Sequence, residues 1–297
     1  MRQNKMHNDL PNIRGSYRLN ADLSKQCWFQ VGGPADLLFK PLDSEDLASF
    51  LIQYKNATPI FILGVGSNIL INDQGFRGCV IRLGRGFSYI KRDGNNIICG
   101  AGSLDINVAR YALEEGLGGL EFLSGIPGTI GGALAMNAGA YGREIVEVLV
   151  NATAINKQGE SKIFSPDEIG YSYRNKALDE DWIFIEATLK AIPTDSAIIS
   201  SIMDGIQQQR QQTQPIKSRT SGSTFRNPHG HKAWELIDAA SCRGLTIGGA
   251  QVSTMHCNFF INTGGASAQN IIDLIATVKQ RVYEHSGVML HEEIKII

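Results

Sequence analysis

The chain has 297 residues, 43% of them apolar, with 28 basic residues set against 29 acidic ones. Such a length supports two or three modest domains with real cores and excludes disorder. The nearly cancelled charge leaves no field to draw in nucleic acid or an anionic membrane, so small-molecule partners are expected and no obligate protein partner is.

Five cysteines without a C-x-x-C pair point to reduced thiols, neither a disulfide framework nor a zinc site. Glycine is in excess, at 32 residues of 297 against a usual ~7%. The opening "MRQNKMHNDLPNIRG" lacks the apolar run of a signal peptide, and no segment approaches the roughly 20 apolar residues that span a bilayer. A cytoplasmic protein is therefore expected.

In chain order, "SEDLASFLIQY" (44–54) reads as a helix, and "TPIFILG" (58–64) and "CVIRL" (79–83) as short buried strands. Between the two strands, "ILGVGSNILINDQG" (62–75) fits neither common nucleotide turn. Ile69 stands where G-x-G-x-x-G needs its third glycine, and no lysine follows Ser67 and Asn68 as a P-loop requires. "FSYIKRDGNNIICG" (87–100) predicts a hairpin turning at Asp93 to Asn96. "DINVARYALEEG" (105–116) predicts a helix with Val108, Ala109, Ala112 and Leu113 on one face, stopped by Gly116.

The densest signal is "GLGGLEFLSGIPGTIGGALAMNAGAYGRE" (116–144), with nine glycines from Gly116 to Gly142 and no charged side chain from Gly125 to Gly132. Bare backbone of this kind can present consecutive N–H groups to an anion with no Cβ in the way. Together with Gly64 to Asn68 it predicts two cradles, suited to a diphosphate joined to a flat ring system. Tight turns in a glycine-tolerant fold account for the glycine count equally well.

A second hairpin, "VLVNATAINKQGESKIFS" (148–165), turns at Lys157 to Gly159, and "WIFIEATLKAI" (182–192) adds a strand. After residue 193 the pattern changes to a helix carrying Ile198, Ile199, Ile202, Met203 and Ile206, followed by a polar link, "QQQRQQTQPIKSRTSGS" (207–223), that reads as a boundary. His229 and His231 in "PHGHKAW" have no carboxylate or cysteine partner nearby and read as loop residues, with no metal expected. Trp234, Leu236 and Ile237 read as helix core. A further helix opens at Ser267, carries Ile271, Leu274, Ile275, Val278 and Val282 on one stripe and closes at Gly287. The chain ends in a predicted strand, "VMLHEEIKII" (288–297), with His291, Glu293 and Lys295 on one face. Hairpins mixed with helices make the fold α+β and not a doubly wound parallel sheet.

Five blocks carry a resemblance: "LGVGSNILINDQGFRGCVI", "GLGGLEFLSGIPGTIGGALAMNAGAYG", "YSYRNK", "SGSTFRNP" and "LHEEIKII". From about Trp28 to the C-terminus their order and spacing resemble the UDP-N-acetylenolpyruvoylglucosamine reductases, flavoenzymes of peptidoglycan precursor synthesis. The resemblance implies a vanillyl-alcohol-oxidase-like FAD-binding domain of two subdomains, at 1–84 and 85–193, and a C-terminal α+β substrate domain at 194–297. It implies FAD held by Gly64, Val65, Gly66, Ser67 and Asn68 and by Gly125, Ile126, Pro127, Gly128, Thr129, Gly131 and Gly132. It also implies NADPH as reductant and UDP-N-acetylglucosamine enolpyruvate as substrate.

Arg174 matches the family's active-site arginine, and a guanidinium can grip a carboxylate or enolate through two parallel bonds. Ser223 matches the proton donor. Glu293 matches the active-site glutamate, with His291 in place of the usual first acidic residue. Tyr173 matches a residue framing the substrate, Asn227 one that contacts the UDP portion, and His256 one that contacts the substrate diphosphate. The length resembles the shorter form of the family, which lacks a substrate-clamping insertion. Two other readings stay open from the residues alone: an oxidoreductase of the same flavin fold acting on another small molecule, and a nucleotide-sensing module without turnover.

Overall fold

The computed structural model describes residues 10–54 and 58–297; the first nine residues of the opening segment lie outside them. The chain forms two compact units, each assembled from separated stretches. The first takes the chain up to Leu19, then Leu37–Gly64 and Gly78–Ile206; the second takes Asn20–Asp36, Val65–Arg77 and Gln207–Ile297.

In the first unit the two predicted hairpins become edges of one antiparallel sheet. Its strands run in the order Ser161–Phe164, Leu149–Ile155, Ile183–Lys190, Asn96–Gly100 and Ile90–Asp93. The turn residues fix the register, with Asp93 opposite Asn96 and Ile155 opposite Ser161. One sheet face is covered by helices Asp105–Glu114 and Ile130–Met136, which bury Val108, Ala109 and Ala112 and Ile130, Ala133 and Leu134 in a core shared with Ile97, Cys99, Ala152 and Leu189. A four-stranded sheet, ordered Ser16–Asp22, Pro34–Lys40, Phe76–Arg82 and Ile60–Leu63, ends in a parallel pair with Ile60 opposite Cys79. Helix Ser44–Gln53 packs there, with the Phe39 and Phe50 rings 4.3 Å apart.

The second unit centres on helix Ala268–Ser286, whose buried stripe is Ile271, Leu274, Ile275, Val278 and Val282. Ser267 caps it and Gly287 closes it at φ +70°, as the sequence pattern predicts. A small antiparallel sheet, Thr246–Ile247, Ala250–Val252 and Phe260–Asn262, belongs to this unit.

Three expectations are corrected. The helix after residue 193 runs from Ser196 to Thr213 and absorbs the first half of the polar link, because Gln and Arg are good helix formers once Ile199, Met203 and Ile206 anchor one face. Only Lys295–Ile296 of the predicted last strand pairs as a strand, in parallel with Ile69–Leu70, while Glu292 makes an isolated bridge to Phe225. Trp234 is partly exposed, and within its helix Ala233 and Ile237 take the buried positions.

Candidate active site

The turn that follows strand Ile60–Leu63 is shaped by one glycine and could hold an anion. Gly66 is left-handed at φ +70°, and a Cβ there would stand 2.0 Å from the Gln26 carbonyl oxygen, so only glycine fits. Among the described residues no acceptor meets the backbone N–H groups of Val65, Gly66 and Ser67. Three successive unspent donors around a left-handed residue are what a diphosphate needs. The Asn68 side chain reaches the Glu293 carbonyl oxygen at 3.1 Å and its own carbonyl accepts from Lys295 N–H, which anchors the far end of the turn.

The loop 125–132 does not offer the second run of donors that its composition suggests. The N–H groups of Ile126, Gly128, Ile130 and Gly131 are spent on Leu123, Ile126, Ser103 and Ala101 carbonyls, Gly132 N–H goes to Thr129 Oγ1, and Pro127 has none. Its glycines answer to the protein's own chain. A Cβ on Gly125 would meet the Tyr141 ring at 2.3 Å, and one on Gly128 the Asp105 carboxyl at 2.6 Å. This loop can line a ligand only by shape, through the partly exposed Ile126, Pro127 and Gly128. Thr129 in this loop lies against Gly64, where a Cβ would be 2.8 Å from Thr129 Oγ1.

Arg174 sits in a tight hairpin between Tyr171–Ser172 and Asn175–Lys176, at φ +54°. Its guanidinium is largely buried, with 15% side-chain exposure. It donates to the Gly139 and Asn137 carbonyls at 2.8 and 3.3 Å and lies over the partly exposed Tyr173 ring at 5.1 Å. Asn137 and Tyr141 are also left-handed, at φ +47° and +55°. Three non-glycine residues in that region cost of order 1–3 kcal/mol each and persist only where the surroundings impose them.

In the second unit, Ser223 opens a segment held on both sides. Thr224 N–H donates to the Asn258 carbonyl at 2.7 Å, and the Asn258 side chain clamps Phe225 by accepting its N–H and donating to its carbonyl. From the other side Glu293 N–H donates to the Thr224 carbonyl at 2.8 Å. The backbone of Glu293 is therefore bonded to the residue that follows Ser223. Asn227, which is exposed, accepts from Ala233 N–H at 2.9 Å and so has a structural task at the start of helix Ala233–Ala239. His256 stacks edge-on against Phe259, and burial holds its pKa below the usual histidine value. Its Nδ1 accepts from Asn258 N–H at 3.2 Å, so the proton of the neutral ring belongs on Nε2, a donor.

Sequence reasoning missed Asn258, Glu144 and the buried Asp105. Only Asn258 shows a signal in the sequence, as a polar residue breaking an apolar run, and it names no partner. Among the described residues no cluster of His, Cys, Asp and Glu is placed to hold a metal, and no helix is long and apolar enough to cross a membrane.

An FAD-binding-domain model matches residues 35–165, and a model of the UDP-N-acetylenolpyruvoylglucosamine reductase C-terminal domain matches residues 214–297. The reductase of Paramagnetospirillum magneticum is 51% identical over 97% of this chain and 94% of its own, and that of Rickettsia akari is 49% identical over 97% and 98%. The crystal structure of the Thermus caldophilus enzyme is 32% identical, with a TM-score of 0.83 over 96% of this chain and 99% of that one. The α+β architecture is that of the structural relative. This chain belongs to the UDP-N-acetylenolpyruvoylglucosamine reductase family.

Proposed function

We propose that this chain reduces UDP-N-acetylglucosamine enolpyruvate to UDP-N-acetylmuramate with NADPH, in the cytoplasm, as a step of peptidoglycan precursor synthesis. When bound, FAD supplies the hydride chemistry that no side chain has, accepting from NADPH and delivering to the enolpyruvyl methylene carbon. Val65, Gly66 and Ser67 would hold its diphosphate, and Ile126 to Gly128 would line its ring system.

The rest falls to the protein's own groups. Hydride arrival at the methylene carbon leaves negative charge on C2 and the adjoining carboxylate, and the Arg174 guanidinium is the cation that holds it. The Ser223 hydroxyl gives its proton to C2, and the Glu293 carboxyl helps to arrange the developing charge. Tyr173 frames the substrate, His256 offers Nε2–H to its diphosphate, and the remaining amide donors of Asn227 serve the UDP portion. The single observation that supports this reading best is the bond from Glu293 N–H to the Thr224 carbonyl. With the Phe225–Glu292 bridge it pairs two segments nearly seventy residues apart that carry Ser223 and Glu293.

The test is an anaerobic visible spectrum. The purified protein should be yellow, bleach with NADPH, and recover its colour on adding the enolpyruvyl sugar. Recovery only on admitting air would remove the substrate assignment.

A further inference from the structure

Resting on the reading of Arg174 as the substrate-binding cation, we infer that Glu144 is a positioning residue: through Asn137 and its own charge it fixes which way the Arg174 guanidinium faces. Glu144 uses its two carboxylate oxygens for two different purposes. Oε2 accepts from the Asn137 side chain at 2.8 Å, while Oε1 stands 3.9 Å from Arg174 Nη1, within ion-pair range and beyond a hydrogen bond.

Asn137 is the hub. It is buried, its amide also donates to the Ser172 carbonyl at 3.1 Å, and its own carbonyl accepts from Arg174 at 3.3 Å. One wall of the arginine hairpin and the arginine at its tip are thereby tied to one left-handed residue. Gly139 provides the clearance, since a Cβ there would stand 2.8 Å from Glu144 Cγ and 3.2 Å from Arg174 Nη1. The Arg143 carbonyl oxygen, 2.5 Å from that Cβ position, also requires glycine here.

The consequence is a guanidinium whose inner edge is fixed by the Asn137 and Gly139 carbonyls and whose charge is partly balanced before substrate arrives. A flexible arginine would collapse onto the nearest acceptor, whereas this one keeps its geometry. Glu144 also caps the short helical turn Ile145–Glu147, so a bland structural role has to be separated from a positioning one.

Glu144→Gln does so, because the amide oxygen can still accept from Asn137 or the turn while the charge is lost. Flavin content, the flavin spectrum and the rate of reduction by NADPH should stay within about twofold of the parent, while reoxidation of the reduced enzyme by the enolpyruvyl sugar should slow about 10-fold, on the scale expected for a misplaced charged group. In an Arg174→Ala background the same change should add nothing. Unchanged reoxidation, equal slowing of both half-reactions, or an undiminished effect in the Arg174→Ala background would each overturn the inference. Normal reoxidation by Arg174→Ala alone would instead sink the assignment of Arg174, and the inference with it.

Discussion

Asp105→Asn should gain stability relative to the parent as the pH rises from about 4 through neutrality. The Asp105 side chain is fully buried, neither carboxyl oxygen has a hydrogen-bond partner among the described residues, and burial pushes its pKa well above the usual carboxylate range. The nearby Cys99 thiol, also pushed up by burial, supplies no countercharge. Asp105 does begin helix Asp105–Glu114, but the helix dipole is worth only ~0.3–1 kcal/mol to a carboxylate near an N-terminus, far less than the cost of a buried unpaired charge.

The sign follows from proton linkage. Below about pH 4 the folded and unfolded chains both hold the proton and nothing separates them. Above it the unfolded chain releases the proton while the folded chain keeps it, so the parent loses about 1.4 kcal/mol of stability per pH unit until the buried carboxyl itself ionises. From about pH 4.5 to 7 the loss reaches at most about 3.5 kcal/mol, and the amide variant does not suffer it. The buried amide N–H groups add a constant offset, so the slope is the observable. Urea unfolding of both proteins with saturating FAD, followed across that pH range, measures it. Parallel stability curves would refute the reasoning, since they would mean that Asp105 either ionises in place or finds a partner.

Ser223→Ala should be reduced by NADPH at the normal rate but pass hydride to the sugar at least roughly 10²-fold more slowly, because a proton donor is needed only in the second half-reaction; stopped-flow measurement of each half separates this from general damage to the site. Arg174→Lys should keep the flavin spectrum while slowing reoxidation, since an ammonium lacks the planar two-bond grip, and wild-type turnover would return Arg174 to being a structural residue. Gly66→Ala forces a side chain into a left-handed position against the Gln26 carbonyl, at about 1–2 kcal/mol for the backbone alone. It should weaken FAD retention by more than 10-fold, and full flavin content after gel filtration would contradict the diphosphate seat.

Local chemistry was legible in the sequence wherever a short-range rule decides the outcome. The turn residues at Asp93 to Asn96 and at Lys157 to Gly159 set two hairpins, and Ser267 and Gly287 bracket the helix whose apolar stripe lies between them. Motif order was legible too, and with it Arg174, Ser223 and Glu293 as candidates, because those blocks are contiguous. What the sequence could not show depends on which distant segment approaches. Glycines in the loop 125–132 look like a ligand cradle in one dimension, yet Gly125 and Gly128 are needed for Tyr141 and Asp105. Asp105 reads as an ordinary first-turn helix residue, and only packing beneath Gly128 turns it into a buried carboxyl whose pKa burial pushes up. Glu144 reads as one more charge in a turn until Gly139 lets it approach Arg174. In each case the deciding quantity is a distance between residues remote in sequence, and composition and periodicity contain no such distance until the chain has folded.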